Sequence, residues 1–150
     1  MSLVQQIDRD MIAAMKAHDA ERTSTLRMVK AALKNREIEK REALTDAEAQ
    51  QVFATMIKQR RESIEQFQKG NRPELAAKEA REIVVIESYL PKTASDDEMQ
   101  KLIDEALAGQ TLTARDMGPA MKAVQARAQA SGLRTDGRRL SELVKARLGL

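Results

Sequence analysis

Apolar residues recur at spacings of three and four along almost the whole chain, and they do not alternate at a spacing of two between turn residues. That period follows the 3.6-residue turn of an α-helix and denies a half-buried strand its apolar face, so the sequence predicts an all-α fold. The first stripe is Leu3, Ile7, Met11 and Ala14 with Met15, ending near His18 and Asp19. A second passes through Leu26, Val29 and Leu33, in a helix predicted over residues 20–42. The third opens at Thr45, whose hydroxyl caps while Glu48 closes the box three residues later. It runs through Val52, Phe53, Met56, Ile57, Ile64 and Phe67 to Lys69, with Gly70 as its C-terminal cap. Asn71 is the expected cap of a fourth helix, which has Pro73 in its first turn and buries Ile83, Ile86 and Leu90.

Pro91 stops that helix, because the residue before a proline is pushed out of helical geometry. Four long helices precede it and three shorter ones follow. The chain is therefore predicted in two parts, 1–90 and 95–150, divided at Pro91-Lys92-Thr93-Ala94. Ser95 with Glu98 forms a second capping box, and its helix buries Met99, Leu102, Ile103, Ala106 and Leu107 before Gly109. Asp116 is the expected cap of the next helix, placing Pro119 in the first turn where its missing N–H does no harm. That helix buries Met117, Met121, Val124 and Ala128. Asp136 caps the last one, which buries Leu140, Leu143, Val144 and Leu148.

Composition excludes several chemistries. There is no cysteine, which removes disulfides, thiolate nucleophiles and thiolate metal sites together. The sole histidine, His18, sits at a predicted helix end, where interaction with the helix dipole accounts for it. The six glycines are scattered singly, so no glycine-rich phosphate loop is present. Asp96-Asp97-Glu98 and Asp104-Glu105 read as solvated charge on a helix start and face rather than as metal ligands. No catalytic residue, metal or cofactor is expected. Only Phe53, Phe67 and Tyr89 are aromatic, so stacking platforms for single-stranded nucleic acid are missing. Neither a secretory leader nor a membrane span is visible, and the expected compartment is the cytosol.

The basic residues say more when mapped than when summed, since 26 Lys and Arg against 23 Asp and Glu leave a net of only +3. On a helix, Arg27, Lys30, Lys34 and Arg41 fall within an arc of about 60° beside the second apolar stripe. This ridge is either a solvated face or a secondary contact surface. Residues 109–150 carry eight basic residues against three acidic ones, a net of +5, whereas 91–108 carry two against five. That asymmetry would place phosphate contacts on the last two helices and their connection.

Leu26-Arg27-Met28-Val29-Lys30-Ala31-Ala32-Leu33-Lys34-Asn35, Lys58-Gln59-Arg60-Arg61-Glu62-Ser63-Ile64-Glu65-Gln66-Phe67 and Glu87-Ser88-Tyr89-Leu90-Pro91 resemble the YqeY family. Asp116-Met117-Gly118 with Met121-Lys122, then Arg134-Thr135-Asp136-Gly137, resembles the GatB/YqeY motif, from which Pro119 and the inserted Leu133 depart. The resemblance implies four N-terminal helices followed by three. The latter are similar to the tail domain of the B subunit of glutamine-dependent aspartyl/glutamyl-tRNA amidotransferase, where the tail helps to hold tRNA. Phosphorylation and amide transfer in that enzyme belong to parts with no counterpart here. The implied role is a non-catalytic tRNA-associated module with kinship to carbon-nitrogen ligases that use glutamine as amido donor. Lys122, Arg134, Arg138 and Lys145 are the candidate tRNA contacts. The alternative is an adaptor joining an amidotransferase or aminoacyl-tRNA synthetase complex, in which Met28, Ile38 and Val84, lying off their stripes, would cover a partner.

Overall fold

The computed structural model describes residues 1–150. It contains seven α-helices, α1 (Leu3–Lys16), α2 (Ala20–Lys40), α3 (Asp46–Lys69), α4 (Pro73–Glu87), α5 (Asp96–Ala106), α6 (Met117–Ala130) and α7 (Gly137–Arg147). Two short strands, β1 (Lys92–Thr93) and β2 (Leu133–Arg134), complete an all-α architecture. The chain forms two compact units, Met1–Leu90 and Pro91–Leu150.

In the first unit α1–α4 enclose a core of Ile7, Leu26, Val29, Leu33, Phe53, Ile57 and Ile86. Three of its helix starts carry side-chain caps. Ser2 and Gln5 form a reciprocal box at α1, Asp19 caps α2 through the Arg22 N–H, and Thr45 with Glu48 forms the box at α3. The α1 start is also tied to the α3 start, since the Leu3 N–H donates to Asp46 Oδ1 at 2.9 Å.

Several local expectations are corrected. Met15 is exposed rather than part of the core, because Ala14 takes the inward position at the end of α1. Gly70 is the C-cap of α3 as expected, with a negative φ, but Asn71 takes the left-handed conformation (φ 56°) instead of capping α4. The Arg72 N–H then donates to the Phe67 carbonyl and the Asn71 N–H to that of Gln68, so Asn71 closes α3 in a Schellman turn. No side chain caps α4. His18 (φ 56°) closes α1 the same way, with Asp19 N–H bonded to the Ala14 carbonyl. α2 ends at Lys40, and Arg41 is its left-handed terminus (φ 63°). Arg41 thus leaves the helical phase that placed it on the basic ridge.

Glu48 does more than cap. Its carboxylate accepts from the Lys40 ammonium across the α2–α3 turn and from the Thr45 N–H at 3.1 Å. The Lys40 hydrogen bond first, then the Thr45 backbone donor, holds the carboxyl down at about 2 from its ordinary 4.5. A depressed carboxylate stabilises the fold above its unfolded pKa, and that contribution is lost as pH falls from about 4.5 towards 2. The difference in urea midpoint between the native chain and Glu48→Gln should be largest at neutral pH and shrink across that window. A gap that stays constant to pH 2 would show that Glu48 is not held this way.

The second unit packs α5, α6 and α7 around Met99, Ile103, Leu107, Val124, Leu140 and Val144. Pro91–Ala94 belongs to it rather than standing as a bare connection. β1 pairs in parallel with β2, Lys92 against Leu133 and Thr93 against Arg134, and the Ala94 N–H donates to the Arg134 carbonyl at 2.6 Å. The inserted Leu133 is therefore a strand residue. Ser95–Glu98 forms its capping box, and Asp136 caps α7 by accepting from the Arg138 and Arg139 N–H groups. Asp116 behaves differently from expectation. Its carboxylate turns back to the Thr113 N–H (2.7 Å), stapling a 3-10 turn over Ala114–Asp116, and it makes no cap hydrogen bond to α6.

Candidate nucleic-acid interface

Each helix of the second unit buries one stripe, and its cations must occupy the remaining faces. On α6, Ala120, Val124 and Ala128 face the core and Lys122 lies on the opposite, exposed side. On α7, Leu140 and Val144 face inward, leaving Arg138 and Lys145 exposed on the far side. These two are seven residues apart, so they share a face about 10 Å apart along the axis. Lys122 projects from a different helix and makes no hydrogen bond or ion pair with either of them.

Arg134 is in another situation. Its Nη2 donates to Thr93 Oγ1 at 3.0 Å, which ties β2 to β1, while its Nε is buried without a partner. It serves the strand pair with part of its guanidinium and is less available than the helix-borne cations.

Ion pairing sorts the remaining charge. Arg139 is held by Asp96 (Nε to Oδ2 3.0 Å, Nη2 to Oδ2 2.9 Å) and by Glu142 (2.8 Å). The same guanidinium, as hydrogen-bond donor, keeps the Asp96 carboxyl below the usual carboxylate range. Arg127 pairs with Glu105 at 3.0 Å and Lys92 with Glu98 at 3.4 Å. Lys101, Arg115, Lys122, Arg134, Arg138, Lys145 and Arg147 have no acidic partner, so the unpaired positive charge of this unit is spread over α5, β2, the turn before α6, α6 and α7, with Arg138, Lys145 and Arg147 together on α7. The N-terminus of α7 is itself occupied by the Asp136 carboxylate.

The ridge in the first unit is broken up in the same manner. Lys30 pairs with Asp8 of α1 at 3.0 Å, Arg27 and Lys34 are exposed and unpaired, and Arg41 lies beyond the helix. Sequence reading missed two side-chain clusters in this unit. Arg60 Nε donates to the buried Glu82 at 2.9 Å. Tyr89 Oη donates to Asp10 at 2.6 Å and receives Arg22 Nη2 at 3.4 Å. Burial, and then the Asp10 carboxylate, push the Tyr89 phenol well above its ordinary range. The tyrosine therefore stays protonated and joins the end of α4 to α1 and α2. The only signal in the sequence was a phenol beside an apolar stripe, with both partners distant along the chain. No group of three or more His, Asp or Glu side chains converges to hold a metal ion.

The family model described as "Yqey-like protein" matches residues 4–148. The chain belongs to the YqeY family. Among curated relatives, it is similar to the Altered inheritance of mitochondria protein 41, mitochondrial, of Kluyveromyces lactis, at 37% identity over 57% of this chain and 47% of the relative. The protein of the same description from Lachancea thermotolerans is 33% identical over 69% of this chain and 57% of its own length. The counterpart from Eremothecium gossypii is 34% identical over 67% and 57%. This YqeY-family chain thus matches about half the length of those relatives. Their names place those relatives in mitochondria, where the sequence of this chain had pointed to the cytosol, and none of the present helices is long and apolar enough to cross a membrane.

Proposed function

We propose that the chain is a non-catalytic tRNA-associated module whose 91–150 unit contacts the sugar-phosphate backbone of folded RNA. The observation that carries this reading is the pair Arg138 and Lys145, two cations without acidic partners on one exposed face of α7. Lys122 adds a third on α6, and Arg134 contributes from the strand pair only with what Thr93 leaves free. Shape and backbone recognition suits a unit that has no aromatic residue to stack on unpaired bases. Kinship with the handling end of a glutamine-dependent amidotransferase rests on the sequence resemblance. Both cytosol and mitochondria contain tRNA, so the reading does not depend on the compartment.

Phosphate contacts make affinity fall steeply with salt. The Arg138→Glu, Lys145→Glu double variant should bind unrelated tRNAs about tenfold or more weakly and lower the slope of log affinity against log salt by about 2. Filter binding across a salt series measures both. Unchanged affinity in a variant with intact helical circular dichroism would remove α7 from the interface. Arg134 is a poor choice for this test, because reversing it also breaks the β1–β2 tie.

The adaptor reading is favoured by Met28, Ile38 and Val84, all exposed on the first unit. Co-purification of an amidotransferase or synthetase that survives nuclease treatment would support it, and loss of that partner with the RNA would remove it. Incubation of the pure chain with misacylated tRNA, glutamine and ATP should yield no amidated product. Formation of product would make it an enzyme.

A further inference from the structure

The seam between α1 and α2 carries two clefts in series. One is lined by Val4, Asp8, Lys30, Lys34 and Glu37, and the other by Met15, His18, Thr23 and Arg27. Helical phase places both on one side of the pair, since Val4, Asp8, Ile12 and Met15 share a flank of α1 while Arg27, Lys30 and Lys34 share a flank of α2. The α1 bank carries Val4, Ile12 and Met15 with Asp8 among them, and the α2 bank carries Arg27, Lys30 and Lys34 with Ile38, beside Glu37 at the first cleft. Ile12 is 50% exposed, Met15 46%, and Ile38, one turn beyond Lys34, 66%.

We propose that this groove docks an acidic amphipathic helix of a protein partner. Its apolar stripe would cover Ile12, Met15 and Ile38, and its flanking carboxylates would meet Arg27 and Lys34, neither of which has an ion-pair partner. Lys30 is held only by a half-exposed pair with Asp8, an interaction weak enough to be exchanged. An amphipathic helix laid in a groove reads as anchors at three- and four-residue spacing, the same spacing these side chains present. The exposed Ile12, Met15 and Ile38 favour a protein over RNA, because a phosphate backbone offers nothing to cover isoleucine and methionine. This inference concerns the first unit and is independent of the tRNA reading of the second.

The test is an NMR titration of the full 15N-labelled chain with three probes. They are a designed helical peptide of about 18 residues with a leucine stripe flanked by glutamates, a peptide of the same composition in scrambled order, and unfractionated tRNA. The ordered peptide should shift the amides of Ile12, Met15, Arg27 and Lys34, and the scrambled one should bind about tenfold more weakly. Arg27→Glu with Lys34→Glu, and separately Ile12→Ser with Met15→Ser, should each weaken the ordered peptide by about tenfold while leaving helical circular dichroism intact. Equal binding of both peptides would reduce the groove to non-specific charge attraction and overturn the proposal. So would shifts at these residues caused by tRNA and not by peptide, or no groove shifts with any probe.

Discussion

Phe53→Ala should lower the stability of the first unit by about 3–5 kcal/mol, one of the two largest losses expected from a single substitution in this chain. Phe53 is the largest fully buried side chain and is completely inaccessible. Its ring stands 6.1 Å from that of Tyr89, tilted by 49°, an aromatic contact that adds to the burial. With two phenylalanines, one tyrosine and no tryptophan in the chain, the neighbouring aliphatic side chains cannot collapse to replace that volume. A domain of this size is stabilised by about 5–15 kcal/mol in all, so a large part of the unit's margin would go. Urea unfolding followed by circular dichroism measures it. A loss below about 1 kcal/mol would mean that Phe53 does not hold the helices together.

Glu82→Ala should destabilise the same unit by about 3 kcal/mol, a fall of roughly 15 °C in Tm. The Glu82 side chain is 7% exposed and that of its partner Arg60 11%. Arg60 also donates to the Met56 carbonyl at 3.3 Å, so the guanidinium is anchored to α3 and cannot swing to solvent when its counter-charge on α4 is removed. The size of the effect comes from stranding that charge rather than from the strength of the bond. Replacing both members, Arg60→Met with Glu82→Leu, should therefore recover most of the loss. A double variant as unstable as Glu82→Ala would instead show that the pair supplies stability which apolar packing cannot. Glu79, 3.9 Å from Arg60 Nε, will soften the single-variant effect to the extent that it takes over the pairing.

Helix starts were the most legible feature of this chain. Thr45 with Glu48, Ser95 with Glu98, and Asp136 are local motifs, in which a side chain and the backbone it caps lie within three residues of each other. Helix ends were less so. Asn71 and His18 close α3 and α1 because the chain must turn back there, and Asn71 takes the left-handed position although a glycine stands beside it. The two-residue strands left no trace, since two residues cannot establish an alternating pattern.

The candidate interface divides along the same line. Which residues are basic, and that residues 109–150 hold an excess of them, is written in the sequence. Which of them are unpaired is not. Arg139 and Arg138 are adjacent, yet one is held by Asp96, 43 positions away, and the other is free. Arg134 looked like a surface cation until β1 brought Thr93 to it.

By itself, then, the sequence determined the helices, the caps at Thr45, Ser95 and Asp136, most of the buried stripes and the family, because periodicity and capping act over one or two turns. Only the tertiary structure decided the Arg60–Glu82 pair, the Tyr89–Asp10–Arg22 link, the strand pair and the set of unpaired cations. Those depend on groups that meet only when distant segments pack, and long-range partners carry no signature in local spacing.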